Sequence, residues 1–375
     1  MKIACIYFPI SSVGGIATVA KTFKRAAQEA KDTFHILRSS NAKTIQPGLF
    51  PAPSRIRGGD THIEIDGEAP HGEQMKATRA WLEKNYDALF FVHPCCHPTK
   101  AYGDDPRWME MYDVALPKAM RFSDGYAETY PWVKEVVEKC TTVFVNQEAY
   151  AIPLVKMGIT DTVLLPQPFL PFPAVAQIPR SKTRLTIFPN QWKQIKCPWE
   201  FVEALPQIKG AVEMFSNGIE YYNIRGEKVW KDNVGVDYFA PELPLKGPKN
   251  HRFHGNIPLE RIAEWYGRAW SMVDLMGQRA KHGAYREGAF NCTAVEALWY
   301  GCRPILHDQA KLSKLPQDVI WTTNLGPKHK DLSGMVRMIN TATPLNAAEL
   351  KRARDWVLNR HGAAKLWKRL KAGVK

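Results

Sequence analysis

Residues 287–304, EGAFNCTAVEALWYGCRP, decide the reading of this chain. They read as a polar loop carrying one acid, Glu287, and then a helix carrying a second, Glu296. Gly301 stops the helix, and Pro304, Ile305 and Leu306 form a buried strand. A loop that feeds a helix N-terminus offers unpaired backbone N–H groups and the positive end of the helix dipole to a phosphate or a ribose. Asn291 and Thr293 stand where caps and phosphate contacts belong. Glu296 lies near the start of its helix, where a carboxylate is stabilised and could accept both hydroxyls of a ribose. The plainer alternatives are a helix-surface ion pair for Glu296 and an exposed loop acid for Glu287.

Working outward, the same grammar recurs. Residues 2–8 read as a strand, 11–15 as a turn and 17–30 as a helix with Val19, Ala20, Phe23 and Ala27 on one face. Strands follow at 34–37, 61–65, 88–92, 119–122, 142–146 and 163–165, with helices at 74–84 and 131–139. Pro166, Pro168, Pro171 and Pro173 make a stretch that no helix or central strand can hold, and the domain linker is placed there. The alternation then restarts: strands at 185–188, 212–215, 251–254, 271–275, 304–306 and 319–321, helices at 198–205 and 259–268, and an insertion at 217–250. One long basic helix is expected over 348–371. The chain is thus expected to be α/β, with an N-terminal Rossmann-like domain at 1–168, a second at 169–352 and a basic helix at 353–375 packing back on the first.

The bulk numbers bound the function. With 51 Lys and Arg against 37 Asp and Glu, the net charge is +14, which favours a polyanionic partner: nucleic acid, anionic lipid or a phosphorylated substrate. Residues 349–375 hold nine Lys/Arg and two Asp/Glu, about half of that excess. Seven scattered cysteines fit a reducing compartment. The opening MKIACIYFPI lacks a signal-peptide pattern and no run reaches membrane-span length, so a soluble cytoplasmic protein is expected.

Two further loops are placed for chemistry. Gly14-Gly15 opens the first helix, where backbone N–H groups can approach a phosphate, although an ordinary βα turn looks the same. Residues 190–196, NQWKQIK, follow the first strand of the second domain; Lys193 and Lys196 could clamp a diphosphate, or form a solvated basic loop. Asp124 and His93 each end a strand of the first domain and could act on an acceptor hydroxyl, or be turn residues. His93, Cys95, Cys96 and His97 make a poor zinc chelate, because adjacent cysteines cannot both turn to one ion and no second pair has finger spacing.

Gly14-Gly15, Lys196, Glu287…Glu296-Ala297…Gly301…Pro304, and the stretch Phe253-His254-Gly255-Asn256…Trp265-Tyr266…Asp274-Leu275 together resemble a retaining GT-B glycosyltransferase, similar to glycosyltransferase family four, over nearly the whole chain. The resemblance implies two Rossmann-like domains facing a cleft, a C-terminal helix crossing back to the first domain, and a UDP-sugar as donor substrate with no bound cofactor and no metal. It implies Gly14, Gly15, Gln191, Lys193, Glu287, Asn291, Thr293 and Glu296 as donor contacts. Lys196, Asp124 and His93 would then be the catalytic group. Two departures stand out. Eight residues, not seven, separate Glu287 from Glu296, and the family's Arg is missing near Gln191 and Lys193.

Asn190…Trp192…Lys196 and Phe215-Ser216-Asn217-Gly218-Ile219-Glu220-Tyr221 are similar to the T-even phage DNA α-glucosyltransferases, with Arg121-Phe122-Ser123-Asp124 where those enzymes have a His-Asp segment. That resemblance implies hexosyl or pentosyl transfer to a hydroxymethylated pyrimidine in double-stranded DNA, in a host cytoplasm. The alternatives are a peripheral glycosyltransferase on an anionic membrane, building a lipid-linked or surface polysaccharide, and a non-catalytic sugar-nucleotide or DNA-binding module. No obligate protein partner is evident.

Overall fold

The computed structural model describes residues 1–6, 15–39, 62–65, 73–93, 106–123, 132–172, 178–190, 198–215, 230–231, 237–238, 251–254, 259–275, 292–308, 316–325 and 331–375. Two compact units form: residues 1–170 with 361–375, and residues 171–360.

The first unit is built on a seven-stranded parallel sheet in the order β3-β2-β1-β4-β5-β6-β7. Its strands are β1 (Lys2–Ile6), β2 (Thr33–Ser39), β3 (His62–Ile65), β4 (Ala88–Phe91), β5 (Lys118–Phe122), β6 (Thr142–Val145) and β7 (Thr162–Leu164). Helices α1 (Gly15–Glu29), α2 (Glu73–Asn85), α3 (Val133–Glu138) and α4 (Ala151–Lys156) intervene. The central strands are apolar without alternation, because both faces are covered. Ala4, Ile6, Leu89, Phe91, Met120, Phe122, Val143 and Val145 point into one core. Their neighbours Ile3, Cys5, Ala88, Phe90, Ala119 and Phe144 point into the other.

The second unit repeats the plan with a six-stranded parallel sheet, β12-β9-β8-β13-β14-β15. Its strands are β8 (Leu185–Phe188), β9 (Ala211–Phe215), β12 (His251–His254), β13 (Ser271–Asp274), β14 (Arg303–His307) and β15 (Trp321–Thr323). A short antiparallel ribbon, β10 (Trp230–Lys231) with β11 (Asp237–Tyr238), lies within the expected insertion. The helices are α5 (Pro198–Ala204), α6 (Leu259–Arg268), α7 (Cys292–Tyr300), α8 (Ser333–Thr341) and α9 (Ala347–His361).

The long basic helix expected over 348–371 is two helices, α9 and α10 (Ala363–Gly373). Gly362 interrupts them with φ −55° and ψ 117°, extended rather than helical. The cause is Phe169, whose backbone enters the gap. Its N–H donates to the His361 carbonyl at 2.7 Å, and its carbonyl accepts from Ala363 N–H at 3.0 Å. His361 Nδ1 adds a bond to the Gln167 carbonyl at 2.8 Å. A helix cannot continue through a residue whose neighbours bond to another strand.

Helix α10 belongs to the first unit. Leu366, Trp367, Leu370 and Val374 share a core with Val19, Ala20, Phe23 and Ala27 of α1. Trp367 stands edge-on to Phe34, ring centroids 5.5 Å apart. Asp32 accepts Trp367 Nε1–H at 2.9 Å, Lys371 Nζ at 2.6 Å and the amino terminus at 3.1 Å. Burial works to raise the Asp32 pKa, but the bonds from Lys371, Trp367 and the amino terminus outweigh it and hold the group at about 2. Gly373 is needed for close approach, since a Cβ there would meet the Phe144 ring at 2.5 Å.

Trp367→Ala empties a fully buried site and strips Asp32 of a donor, and should destabilise the first unit by roughly 3–5 kcal/mol. Urea denaturation followed by hydrogen exchange in β1 and β4 checks it; unchanged exchange there would contradict the assignment of α10 to that core.

Candidate functional site

In an open parallel sheet, ligands bind outside the carboxyl ends of the strands where the strand order reverses. In the second unit that point lies between β8 and β13. Asn190, buried just past β8, donates its amide to the Val273 carbonyl at 3.1 Å and ties the two strand ends together. Asp274 ends β13, and its carboxylate accepts from Thr293 Oγ1 at 2.8 Å. Thr293 is the second residue of α7, so the helix N-terminus is held at the strand end.

Glu296 follows one turn later and is 8% exposed. Beside it is Tyr266 of α6, with no exposure at all. The Tyr266 hydroxyl makes no hydrogen bond of acceptable distance and angle among the described residues. Burial pushes the Glu296 carboxyl up to about 8, and proximity of the Tyr266 hydroxyl pulls the other way without prevailing. Burial also drives the Tyr266 phenol far above its ordinary value, reinforced by Glu296, Cys302, Asp274 and Cys292. The expectation of a carboxylate stabilised by the helix N-terminus is therefore corrected. The helix starts at Cys292, Glu296 sits beyond its first turn, and desolvation dominates. The alternative of a surface ion pair fails too, because no cation pairs with Glu296 among the described residues.

Arg180 sets the spacing of α6 and α7. Its guanidinium donates to the carbonyls of Tyr266 at 3.1 Å, Ala269 at 2.5 Å and Tyr300 at 2.7 Å, gathering the C-terminal ends of both helices. A cation is favoured there by both dipoles. Gly301 follows with φ +80°, and a Cβ on it would lie 2.6 Å from Arg180 Nη2.

At the far side of the same sheet, His254 Nε2 meets Glu213 Oε2 at 2.5 Å. Its ring stacks on Phe215 at 4.7 Å between centroids, with Trp265 tilted against both.

In the first unit the strand order reverses between β1 and β4, and His93 lies just past β4. Burial lowers its pKa to about 4, helped by Arg121, so the imidazole is neutral near pH 7. Arg121, wholly buried, donates to the Leu165 carbonyl at 3.1 Å, Ser123 Oγ at 2.7 Å and Asn146 Oδ1 at 2.7 Å. Gly15 is the first residue of α1.

Of the expected site residues, the structure thus brings Thr293 and Glu296 to one strand edge and places His93 and Gly15 in the first unit. Gly14, Asp124, Gln191, Lys193, Lys196, Glu287 and Asn291 lie outside the described residues. Asp274 and Tyr266 entered the sequence reading only as part of a motif, and Arg180 not at all. A signal for Tyr266 was present: it is three residues from Ala263 on the buried face of α6, a position where a hydroxyl needs a reason.

The basic tail is largely engaged. Lys351 pairs with Asp355, Arg352 with Asp318 and Lys371 with Asp32, each within 2.8 Å. Arg354 and Arg369 donate to the carbonyls of Trp299 and Leu164. Among the described residues, no group of three or more His, Cys, Asp or Glu is placed to hold a metal, and no helix is long and apolar enough to cross a membrane.

No family model matches the chain, and no curated protein matches it in sequence. Solved structures do match over their full length. Anabaena Alr3699/HepE in complex with UDP and glucose superposes with a TM-score of 0.66 at 11% identity, covering 99% of this chain and 98% of that one. The lipopolysaccharide outer core galactosyltransferase WaaB, in its apo form, gives 0.59 at 11% identity, covering 100% and 99%. An α-glucosyltransferase in complex with UDP and a 13-mer DNA containing an HMU base gives 0.62 at 10% identity, covering 99% of each chain. The fold is GT-B, the two-domain Rossmann-like arrangement of these glycosyltransferases.

Because Glu296 binds a proton more tightly when folded, its stabilising contribution is complete below the ordinary value of 4.5 and is lost as pH rises through about 8. Glu296→Gln should flatten the fall in ligand-free stability over that window, a difference of a few kcal/mol at alkaline pH, measured by denaturant midpoints at a series of pH values. Gly301→Ala should cost roughly 1–3 kcal/mol from the left-handed backbone alone, read as a lower Tm.

Proposed function

We propose that this chain is a retaining glycosyltransferase that takes its sugar from a UDP-linked donor. One observation carries the reading. A buried acid, Glu296, stands one turn into a helix that starts at the strand-order reversal of the second sheet, within a fold whose neighbour HepE was solved with UDP and glucose. In this reading residues 169–352 bind the donor and residues 1–168 serve the acceptor; of the basic tail at 353–375, the segment 361–375 packs back on the first unit. Glu296 receives the ribose hydroxyls. Thr293, Asn291 and the N–H groups that open α7 face the diphosphate, with Lys196, Lys193 and Gln191 from the loop after β8. Gly14 and Gly15 offer backbone N–H groups to phosphate charge, and Glu287 contacts the sugar. Catalysis is electrostatic stabilisation of the departing diphosphate by Lys196 and these N–H groups. His93, held neutral, and Asp124 act on the acceptor side, one orienting the acceptor hydroxyl and the other taking its proton as the bond to the sugar forms.

For the acceptor we favour a hydroxymethylated pyrimidine in double-stranded DNA, reached by flipping the base out of the stack. The net charge of +14 and the neighbour solved with UDP and HMU-containing DNA support it. A saccharide acceptor is the second reading, on a lipid carrier or a cell surface. It is favoured by the internal pairing of Lys351, Arg352 and Lys371, which leaves less of the tail's charge for a polyanion, and by the likeness to WaaB.

The test is incubation with UDP-hexoses and UDP-pentoses and duplex DNA carrying hydroxymethyluracil or hydroxymethylcytosine. Nucleoside mass spectrometry and the anomeric coupling constant of the product are the readouts, with and without EDTA. A one-sugar mass increase with retained configuration, insensitive to EDTA, is expected. Donor consumption with transfer only to saccharides overturns the DNA acceptor; no donor consumption with any acceptor overturns the enzyme. Lys196→Ala should lower kcat by about 100-fold or more if it carries the leaving-group charge.

A further inference from the structure

The pair Tyr266–Glu296 is unusual for a protein interior. Burying a hydroxyl without a partner costs free energy, and burying a carboxyl without a cation or donor costs more. Here both occur side by side on adjacent helices. Tyr266 is fully buried with its hydroxyl unpartnered among the described residues, and Glu296 is nearly so with no cation. Repacking could have relieved this, but the helices are not free to move apart or rotate. Arg180 holds the Tyr266 carbonyl on α6 and the Tyr300 carbonyl on α7 at once. The scaffold therefore holds the hydroxyl beside the carboxyl, near enough to lower its pKa but without a well-aligned hydrogen bond among the described residues.

We propose that Tyr266 is a positioning residue of the nucleotide site: its hydroxyl donates to one Glu296 oxygen when that carboxylate takes up two neighbouring hydroxyls of the ligand's ribose. The proposal rests on the UDP-sugar reading above and adds to it a residue and a mechanism. A carboxylate accepting two hydroxyls still has lone pairs to satisfy in a site from which water is excluded. The phenol supplies one such donor from the protein side and fixes the plane of the carboxylate. Other titratable groups face the pair: Asp274 from β13, Cys292 from the start of α7 and Cys302 just past its end. None of these is a cation, and the phenol is the donor that stands beside the Glu296 carboxyl.

Two consequences follow. Nucleotide binding is coupled to loss of the Glu296 proton below about pH 8, and the coupling moves to higher pH when the phenol is removed. The phenol also costs stability to the ligand-free protein while helping the complex. A residue with a merely structural role has neither property, because truncating it weakens the fold and leaves the pH profile of binding in place.

The experiment compares wild type with Tyr266→Phe for binding of UDP and of 2′-deoxy-UDP across pH 6 to 9, by calorimetry in two buffers of different ionisation enthalpy. The ratio of the two affinities cancels ionisation of the phosphate. Wild type should prefer UDP and release a proton on binding it near pH 7. In Tyr266→Phe the affinity for UDP should fall about tenfold, the loss of one charge-assisted hydrogen bond. The preference over 2′-deoxy-UDP should shrink and the proton release move to higher pH, while ligand-free thermal stability is equal or higher. If wild type prefers UDP and Tyr266→Phe keeps the same preference and pH midpoint, the role of Tyr266 is overturned and the donor reading stands. If wild type does not bind UDP at all, the donor reading fails and this inference fails with it. A clear loss of ligand-free stability in Tyr266→Phe, with the preference for UDP and its pH midpoint kept as in wild type, also overturns it.

Discussion

The second unit depends on one guanidinium. Arg180 arrives from the segment just before β8 and reaches three carbonyls at the ends of two helices that are far from it in sequence. Without a cation there, the negative ends of α6 and α7 would meet each other across a half-buried gap. With it, they can be set side by side at a fixed distance, and the turn at Gly301 must be bare to leave the guanidinium room. Burial lowers the Arg180 pKa, yet the group remains charged, because its ordinary value of 12.5 leaves a wide margin. Everything proposed for the site inherits its geometry from this contact. Thr293 and Glu296 ride on one of the two clamped helices, and Tyr266 rides on the other.

The first unit has a counterpart in Asp32. A single carboxylate receives an indole, an ammonium from the same helix and the amino terminus, and so fastens α10 beside β1 and α1. The two clamps have opposite signs and the same logic. In each, one buried or half-buried charge is surrounded by several donors or acceptors from distant segments, so no single bond is exposed to competition from water. The site's own acid differs from both. Glu296 has been taken out of water with no cation beside it among the described residues, the pattern that the proposed ligand role would require.

Much of the fold was legible because parallel sheets buried on both faces write themselves as apolar runs: Ala88–Phe91 and Leu185–Phe188 were bounded to within a residue. Short helices escaped. Ala151–Lys156 is barely more than a turn and contains Pro153, and Ser333–Thr341 carries Gly334 and few strong helix formers. The last strand was expected too early, because Val319 and Ile320 are buried but unpaired, and pairing with β14 begins at Trp321. At the site, Glu296 was legible from its place in a motif, but its protonation was not. Burial comes from packing against α6, which no local pattern encodes. Arg180 escaped the sequence reading, since nothing in the sequence tells a clamp from a solvated side chain.

The break at Gly362 has a consequence for how the molecule comes into being. Residues 171–360 are contiguous and have their own core, so that unit can close while synthesis is still under way. The first unit cannot, although most of it is made earlier, because Leu366, Trp367 and Leu370 fill one side of its core. Its α1 face must wait, apolar and uncovered, until residues 361–375 clear the ribosome. Completion of the first core thus depends on residues that are made after the whole second unit.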